Sequence, residues 1–487
     1  VKFVLASKSA RDQNNATAGT ERLVNVYAVP NSQGGPAQFT LRSVPGNPDF
    51  STLDYGFVRA WAVVEGVLYL VSAGSLWKVT ETGLTQILAA VTDDENTSMA
   101  GHRGNITISA GGDYYVWDGS AVTQPGSGRI SEVGSVAFLD QFTLMSMVDG
   151  REVEWTEVGV PDDRNALYFR TAEARDDNIV RILDQGGYLY VLKEKTTEVW
   201  GNTGRGGAGA FARVQGPVIE TGLHGYNLVT RTPAGLFMVG HDKTAKLIVG
   251  QTAQPLSTPA VDQALQEETP THCFYYEDRG AKFCVIRFAN RPAWVHDLAM
   301  GLWHERSTGS RHDAWDVVGS AYAYGRWHLI GQMGRIKRTW LYPIDGSTPM
   351  RRTVVAQELY NGGRHFTIRL LELLGQFGSA DIRETAPNWM TDQYGEVMYS
   401  ADGSPMLSTT PGSIVTIKKP GRVWIRLSHD SGRTWGRVRM KNIGKAEQKT
   451  ATCRFRALGR HRRVAVEINM TDAYDFPLLS EGNLEIA

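Results

Sequence analysis

Between residues 58 and 341 the chain alternates short apolar stretches with tight polar or glycine-bearing turns, and the pattern recurs seven times. Within each recurrence an apolar strand leads through a turn into a second strand. The first of these strands centres on Tyr69, Ile108, Leu144, Tyr190, Met238, Val285 and Leu329. The second carries a tryptophan in six units, at Trp77, Trp117, Trp155, Trp200, Trp294 and Trp340, and Ile248 stands in its place in the fifth. Apolar positions that repeat with period two predict strands, not helices. A recurrence of 36 to 48 residues built only from strands is what radial blades of four-stranded sheet produce. The expected fold class is all-β, a β-propeller of six or seven blades followed by a C-terminal β-sandwich-like domain.

Each unit also has a preceding strand, such as Val58-Arg59-Ala60-Trp61-Ala62-Val63 or His272-Cys273-Phe274-Tyr275-Tyr276, so three strands per blade are visible and a fourth is expected. Hairpin turns are spelled out at Ser72-Ala73-Gly74-Ser75, Ala110-Gly111-Gly112-Asp113, Val148-Asp149-Gly150 and Ala289-Asn290-Arg291-Pro292. The tryptophans are expected as wedges between blades, each burying on the order of 200 Å², in preference to a platform for a ligand.

Residues 1–57, rich in Asn, Gly, Pro and Ser, read as an arm that crosses the domain or closes the ring. The propeller spans 58–342, and a second all-β domain spans 343–487 with a loop insertion at about 378–411. In that domain Thr353 to Leu374 predicts two longer strands around Asn361-Gly362-Gly363-Arg364. The glycine-rich run 201–209 predicts a flexible loop, and Ser257 to Glu268 a short helix with Thr258 as cap and Pro259 in its first turn.

The composition is that of a globular protein: 42 % hydrophobic, 10 % aromatic and 52 glycines in 487 residues. The three cysteines, Cys273, Cys284 and Cys453, have no CxxC spacing. They encode neither a disulfide framework nor a zinc site, and free buried thiols are expected, although Cys273 and Cys284 fall on neighbouring strands. The opening Val1-Lys2-Phe3-Val4-Leu5-Ala6 is too short an apolar run for a signal peptide, and no run approaches a membrane span, so folding in a cytoplasm is expected. The zero net charge hides an asymmetry: residues 1–330 carry 28 basic and 36 acidic residues, and 331–487 carry 23 and 15.

Candidate chemistry is sparse. Ser428-His429-Asp430-Ser431-Gly432-Arg433-Thr434-Trp435 resembles the Asp-box of sialidases, a hairpin tip in which Asp caps turn amides, Gly takes positive φ and Trp anchors the turn. Ser428, Asp430, Gly432 and Trp435 are therefore expected as structural turn residues. Ser428, His429 and Asp430 are consecutive, alternate faces, and cannot form a triad. The 201–209 loop lacks the Lys-Ser/Thr ending of a P-loop. His296, Asp297 and His304 have no metal-ligand spacing, and the pairs Asp162-Asp163 and Asp176-Asp177 read as solvated turn residues. No catalytic residue, cofactor or metal is predicted.

The strongest polar signal runs from Lys418 to Arg463, where 15 basic residues face only Asp430 and Glu447. In Arg422-Val423-Trp424-Ile425-Arg426-Leu427 and in Arg433 to Arg439 charge alternates with apolar residues, so one face of that sheet is expected to be a ladder of Arg and Lys, and Arg422, Arg426, Arg433, Arg437, Arg439, Arg454 and Arg456 are the expected interface residues. A strongly cationic channel wall would grip moving DNA. An acidic protein face is the preferred partner.

Several blocks in order resemble the packaged-DNA stabilisation proteins of short-tailed phages, the tail hub or nozzle family. These are Arg22-Leu23-Val24-Asn25-Val26-Tyr27 with Leu41-Arg42-Ser43-Val44-Pro45-Gly46, Phe211-Ala212-Arg213-Val214-Gln215-Gly216 with Ile219-Glu220-Thr221-Gly222, Pro255-Leu256-Ser257-Thr258-Pro259-Ala260-Val261, and the stretch Val423 through Arg463. Ser428-His429-Asp430-Ser431 departs from the acidic Asp-Asp and the Gly-Gly expected of the family, which changes turn polarity. The resemblance implies a non-enzymatic virion protein of the tail, assembled in the host cytoplasm. It implies a homo-oligomer, a hexameric ring beneath the head-to-tail adaptor or portal, contacting a tail needle or plug and tail fibre or spike proteins. Double-stranded DNA would pass through the conduit without sequence-specific binding and be kept from leaking. Two other classes stay open on the residues: a tail-associated propeller glycosidase, suggested by the Asp-box, and a glycan-binding adhesin.

Overall fold

The computed structural model describes residues 2–10, 19–31, 37–53, 56–126, 128–340, 343–346, 348–375, 422–442, 451–471, 478–479 and 481–486. The insertion expected at 378–411 lies outside them.

The repeat becomes seven antiparallel blades of four strands. The first comprises Val58–Val64, Val67–Ser72, Ser75–Val79 and Thr85–Ala90. The next five occupy 98–123, 133–171, 179–213, 229–255 and 270–306. The seventh is made of Val317–Ala323, Arg326–Gly331 and Arg335–Arg338, and its fourth strand is Asp49–Thr52 from the beginning of the chain. The propeller is therefore closed by a strand some 280 residues away from its partner in sequence, Arg335↔Thr52 and Ile336↔Ser51. The innermost strands of all seven blades meet at one axial cavity, lined by Trp61, Met99, Val136, Leu183, Val229, Tyr275 and Ala321. Across the closing seam the Trp61 indole N–H donates to Ser320 O at 2.9 Å.

The hairpins follow from turn chemistry. Ala73-Gly74 and Gly111-Gly112 both have positive φ at their two central residues (50° and 67°, 59° and 87°), the mirror-image turn that matches strand twist. The inner strands of the first, third, fourth, sixth and seventh blades each shift register near their start, a bulge that bends them around the axis.

Apolar clusters lie between blades, as the wedge reading requires. One joins the third and fourth blades through Leu144, Trp155, Ile182, Trp200 and Phe211. Another joins the seventh and first through Val318, Ile336, Leu70 and Trp77. Trp77, Trp117, Trp155, Trp200 and Trp294 are buried on third strands. The seventh position is a correction: Trp340 lies beyond the strand Arg335–Arg338, half-buried, bridging to Gly46 and stacked by Arg338 at 4.6 Å. Ile336, opposite Ile330, occupies the core place that tryptophan fills elsewhere.

Other local expectations resolve in the same way. A helix forms over Pro259–Glu267 with Thr258 at its N-cap position, but the Thr258 side chain makes no capping bond. The glycine run 201–209 contains a 3-10 segment at Gly207–Gly209, whose Gly207 carbonyl accepts the Trp155 indole N–H at 3.0 Å. Asp177, read as a solvated turn residue, is buried and accepts from Lys195 N and Thr196 N (2.9 Å each) and from Lys193 Nζ. Its neighbour element orders the loop, so a charge that looks exposed in sequence is an internal tie. Asp162 and Asp163 lie on the strand Val160–Thr171. All three cysteines are buried and unpaired.

Beyond the propeller, two sheets enclose a second core. One contains Lys2–Val4, Val26–Pro30, Phe39–Ser43, Phe366–Gly375, Ala451–His461, Leu478–Leu479 and Glu481–Ile486. The other contains Arg22–Val24, Arg352–Val355, Leu359–Tyr360, Arg422–Ser428, Arg439–Asn442 and Arg463–Met470. Leu23, Val26, Leu41, Val354, Ile368, Val423, Phe455 and Ile468 pack between them. The first 57 residues thus supply strands to this sandwich as well as to the seventh blade. The two bodies are stitched edge to edge, because Val24 pairs in parallel with Glu305 of the sixth blade and makes one ten-stranded sheet.

Candidate functional site

Period two governs the basic strands as expected. Along Arg422–Ser428 the side chains of Val423 and Ile425 point into the sandwich core, and Arg422, Trp424 and Arg426 point out. Along Ala451–His461, Cys453 and Phe455 are buried and Arg454 and Arg456 exposed. These strands belong to different sheets, however, whose outer faces look away from each other. The Arg422–Leu427 stretch does pair within one sheet with a strand that begins at Arg439, whereas Arg433 to Val438 belong to the connecting turn and not to a strand, and Arg454 and Arg456 lie on the other sheet, so the basic residues form two faces. The two meet at one edge, where Arg439 Nη1 donates to Ala457 O at 2.9 Å.

The seven arginines also differ in what they are free to do. Arg426 is held by Glu467, its cross-strand neighbour, with Nη2 to Oε1 and Oε2 at 2.7 and 2.8 Å. Arg454 pairs across its strand with Glu372 at 2.6 Å. Arg422 is exposed at the start of its strand. Arg433, Arg437 and Arg456 are exposed, and their guanidiniums have no ion pair among the described residues. Arg439 is partly buried and donates only to backbone carbonyls, so these three are the exposed ones without an ion pair among the described residues.

The turn between the two strands of this hairpin has the expected geometry. Asp430 accepts from Thr434 N at 2.8 Å, Thr434 Oγ1 at 2.6 Å and Ser428 Oγ at 2.7 Å, and Ser428 Oγ accepts from Gly432 N at 2.9 Å. Gly432 has φ of 83° and Ser431 of 57°. The Thr434 hydroxyl and amide, followed by the Ser428 hydroxyl, hold the Asp430 carboxyl well below the usual range. Trp435 lies under the Arg426 guanidinium, 5.6 Å from its ring centre.

Tertiary structure adds residues that sequence spacing did not bring together. Beside Arg426, a cavity of about 180 Å³ is lined by Arg22, Arg311, His312, Arg351, Trp435 and Glu467 among others. Arg351 Nη2 donates to Glu467 at 3.1 Å and its guanidinium covers Trp424 at 4.8 Å, and Arg22 grips Glu305 of the sixth blade with two hydrogen bonds. Burial, with Arg22, Arg351 and Arg426 adding to it, pushes the His312 pKa down to about 3, so the imidazole is neutral among cations. No group of three or more potential metal ligands occurs among the described residues. His296, considered for such a role, packs on Trp303 at 4.8 Å.

A closed ring of seven four-stranded blades with a strand from the beginning of the chain sealing the last one defines a β-propeller. The family model for the phage stabilisation proteins, described as bacteriophage P22 Gp10, β-propeller, matches residues 5–347, and the chain belongs to that family. The protein is a phage structural protein on that membership. No curated protein matches the chain. Among solved structures it is similar to the computationally designed Ika8 protein (14 % identity, TM-score 0.37, covering 60 % of this chain and 100 % of that one). The Neurospora crassa Pan2 WD40 domain (8 %, 0.41, 61 % and 95 %) and BamB from Moraxella catarrhalis (10 %, 0.37, 66 % and 98 %) are comparable.

Proposed function

We propose that this chain is a tail hub or nozzle subunit, a non-catalytic component of a ring below the head adaptor that helps to keep packaged DNA in the head. Residues 58–342 would act as the propeller wall and 343–487 as the docking unit. The observation that carries the reading is the way the two bodies are locked. Residues 22–52 pass from the sandwich sheets into the seventh blade, and the sixth blade shares a sheet with the sandwich. A subunit exposed to outward pressure has to resist splaying, and close-packed β layers joined by continuous hydrogen bonding deform little. A closed ring of more than two copies requires two different surfaces on each subunit. The exposed Arg433 and Arg437 on one basic face and Arg456 on the other supply cationic surfaces complementary to the acidic excess of residues 1–330 or to an acidic adaptor face.

The test is negative-stain imaging and native mass spectrometry of the purified protein, alone and with adaptor–portal complexes. Ring particles or a stoichiometric complex are expected. A monodisperse monomer that ignores the adaptor but cleaves or binds host polysaccharide would replace this reading with the glycosidase or adhesin.

A further inference from the structure

The propeller axis is cationic, although residues 1–330 carry an acidic excess. Two adjoining cavities of about 250 and 280 Å³ share Arg59, Asn227 and His272. Together they are lined by four guanidiniums, Arg59, Arg181, Arg231 and Arg287, and one carboxylate, Glu95. Two of the four are balanced: Arg59 pairs with Asp93 at 2.8 Å and reaches Glu95 at 3.8 Å, and Arg231 pairs with Asp184.

Among the described residues, Arg181 and Arg287 have only neutral partners. Arg181 donates through Nη1 to Tyr226 O at 3.0 Å and lies over the Tyr226 ring at 4.7 Å, and its Nε has no partner. Arg287, 6 % exposed, donates to Trp315 O, Thr271 Oγ1 and Gln332 Oε1 at 3.1, 2.9 and 2.7 Å. The carboxylate whose charge Arg287 feels, Asp316, already has both oxygens on Lys337 Nζ, at 3.0 and 2.8 Å. His272 stands near both guanidiniums with its Nδ1 unpartnered; burial, then Arg287 and Arg181, keep it neutral.

Buried cations without a counter-charge are unfavourable, and a guanidinium fork already held by side hydrogen bonds is shaped for an oxyanion. We infer that the propeller axis is a binding site for a small oxyanion of the phosphate class, held by Arg181 and Arg287 with His272 beside them. The cavities are large enough for such an anion with several waters, at about 30 Å³ per water. Either free phosphate or the phosphate of a small ester offers the same oxygens.

The experiment is isothermal titration and thermal unfolding of the full chain against inorganic phosphate at constant ionic strength, with a nucleoside monophosphate as a second arm. Saturable binding is expected, with at least a tenfold loss of affinity in both Arg181→Met and Arg287→Met. Tighter binding of the nucleotide than of phosphate would assign an ester as the source, and equal binding would assign the free ion. In phosphate-free buffer Arg181→Met should melt no lower than wild type, because it removes a half-buried guanidinium that has no counter-charge among the described residues. A purely structural arginine would lower the melting point and leave the phosphate dependence intact. If the Met variants do not fold, Arg181→Lys, which keeps charge but loses the fork, should weaken binding at least several-fold. Absence of saturable binding by the wild type, or an identical phosphate response in the folded variants, overturns the inference. Ring assembly does not enter either readout.

Discussion

The junction between sandwich and propeller offers a sharp test, because a buried cation ties the crossing segment to the sixth blade. Arg306, at the end of the sixth blade's outer strand, is 0 % exposed and has no carboxylate partner among the described residues. Its Nη2 donates to Pro45 O and Asn47 Oδ1 at 2.6 Å each, its Nη1 to the Tyr276 hydroxyl, and its guanidinium lies 4.2 Å from the Trp315 ring centre. Pro45 and Asn47 belong to the segment that carries the chain from the sandwich strand Phe39–Ser43 to the closing strand Asp49–Thr52. Arg306→Met keeps much of the volume and removes every donor. Each buried acceptor left behind costs about 1–3 kcal/mol, and the lost ring contacts cost up to about 2 kcal/mol more. Releasing the guanidinium from burial offsets several kcal/mol of this in the global balance. Locally the segment can recover its hydrogen bonds only by opening to water, so the free energy of that opening should fall by about 2–4 kcal/mol. At about 1.4 kcal/mol per factor of ten, that is roughly 30- to 700-fold faster exchange. The reporters are the Gly46 and Asn47 amides, bonded to Trp340 O and Ile344 O at 2.9 and 2.6 Å. Native-state hydrogen exchange read at those amides is the assay. Wild-type protection of Gly46 and Asn47 in a folded Arg306→Met protein would refute the reasoning.

Three further outcomes are expected. Trp155→Ala empties a fully buried site between the third and fourth blades and removes the donor to Gly207 O, so denaturant unfolding should show a loss of about 3–5 kcal/mol. Asp430 has a depressed folded pKa, so its contribution to holding the turn is complete above the unfolded value near 3.8 and is lost as pH falls through the lower folded value; the Thr434 amide signal should report this acid transition, and Asp430→Asn should abolish it. Reversing Arg433, Arg437 and Arg456 to Glu should block ring or adaptor assembly in native mass spectrometry while changing stability by no more than about 0.5 kcal/mol per site, since none is paired within the described chain.

Much of the architecture could be read from local signals. Strand periodicity and hairpin turns are decided by neighbours a few residues apart, so the recurring blades, the Pro259–Glu267 helix and the turn around Asp430 were all legible in the order of residues. Register was less so: Trp340 matches the tryptophan spacing, yet Ile336 fills the core place because the closing strand Asp49–Thr52 sets where the seventh blade ends. What only tertiary structure decided is which distant groups become neighbours. The basic run from Arg422 to Arg456 is continuous in the chain but divides over two sheets, because successive strands of a sandwich can cross between layers. Arg181 and Arg287 lie on different blades within an acidic stretch, and only closure of the ring turns them toward one axis, where burial makes their unbalanced charge matter.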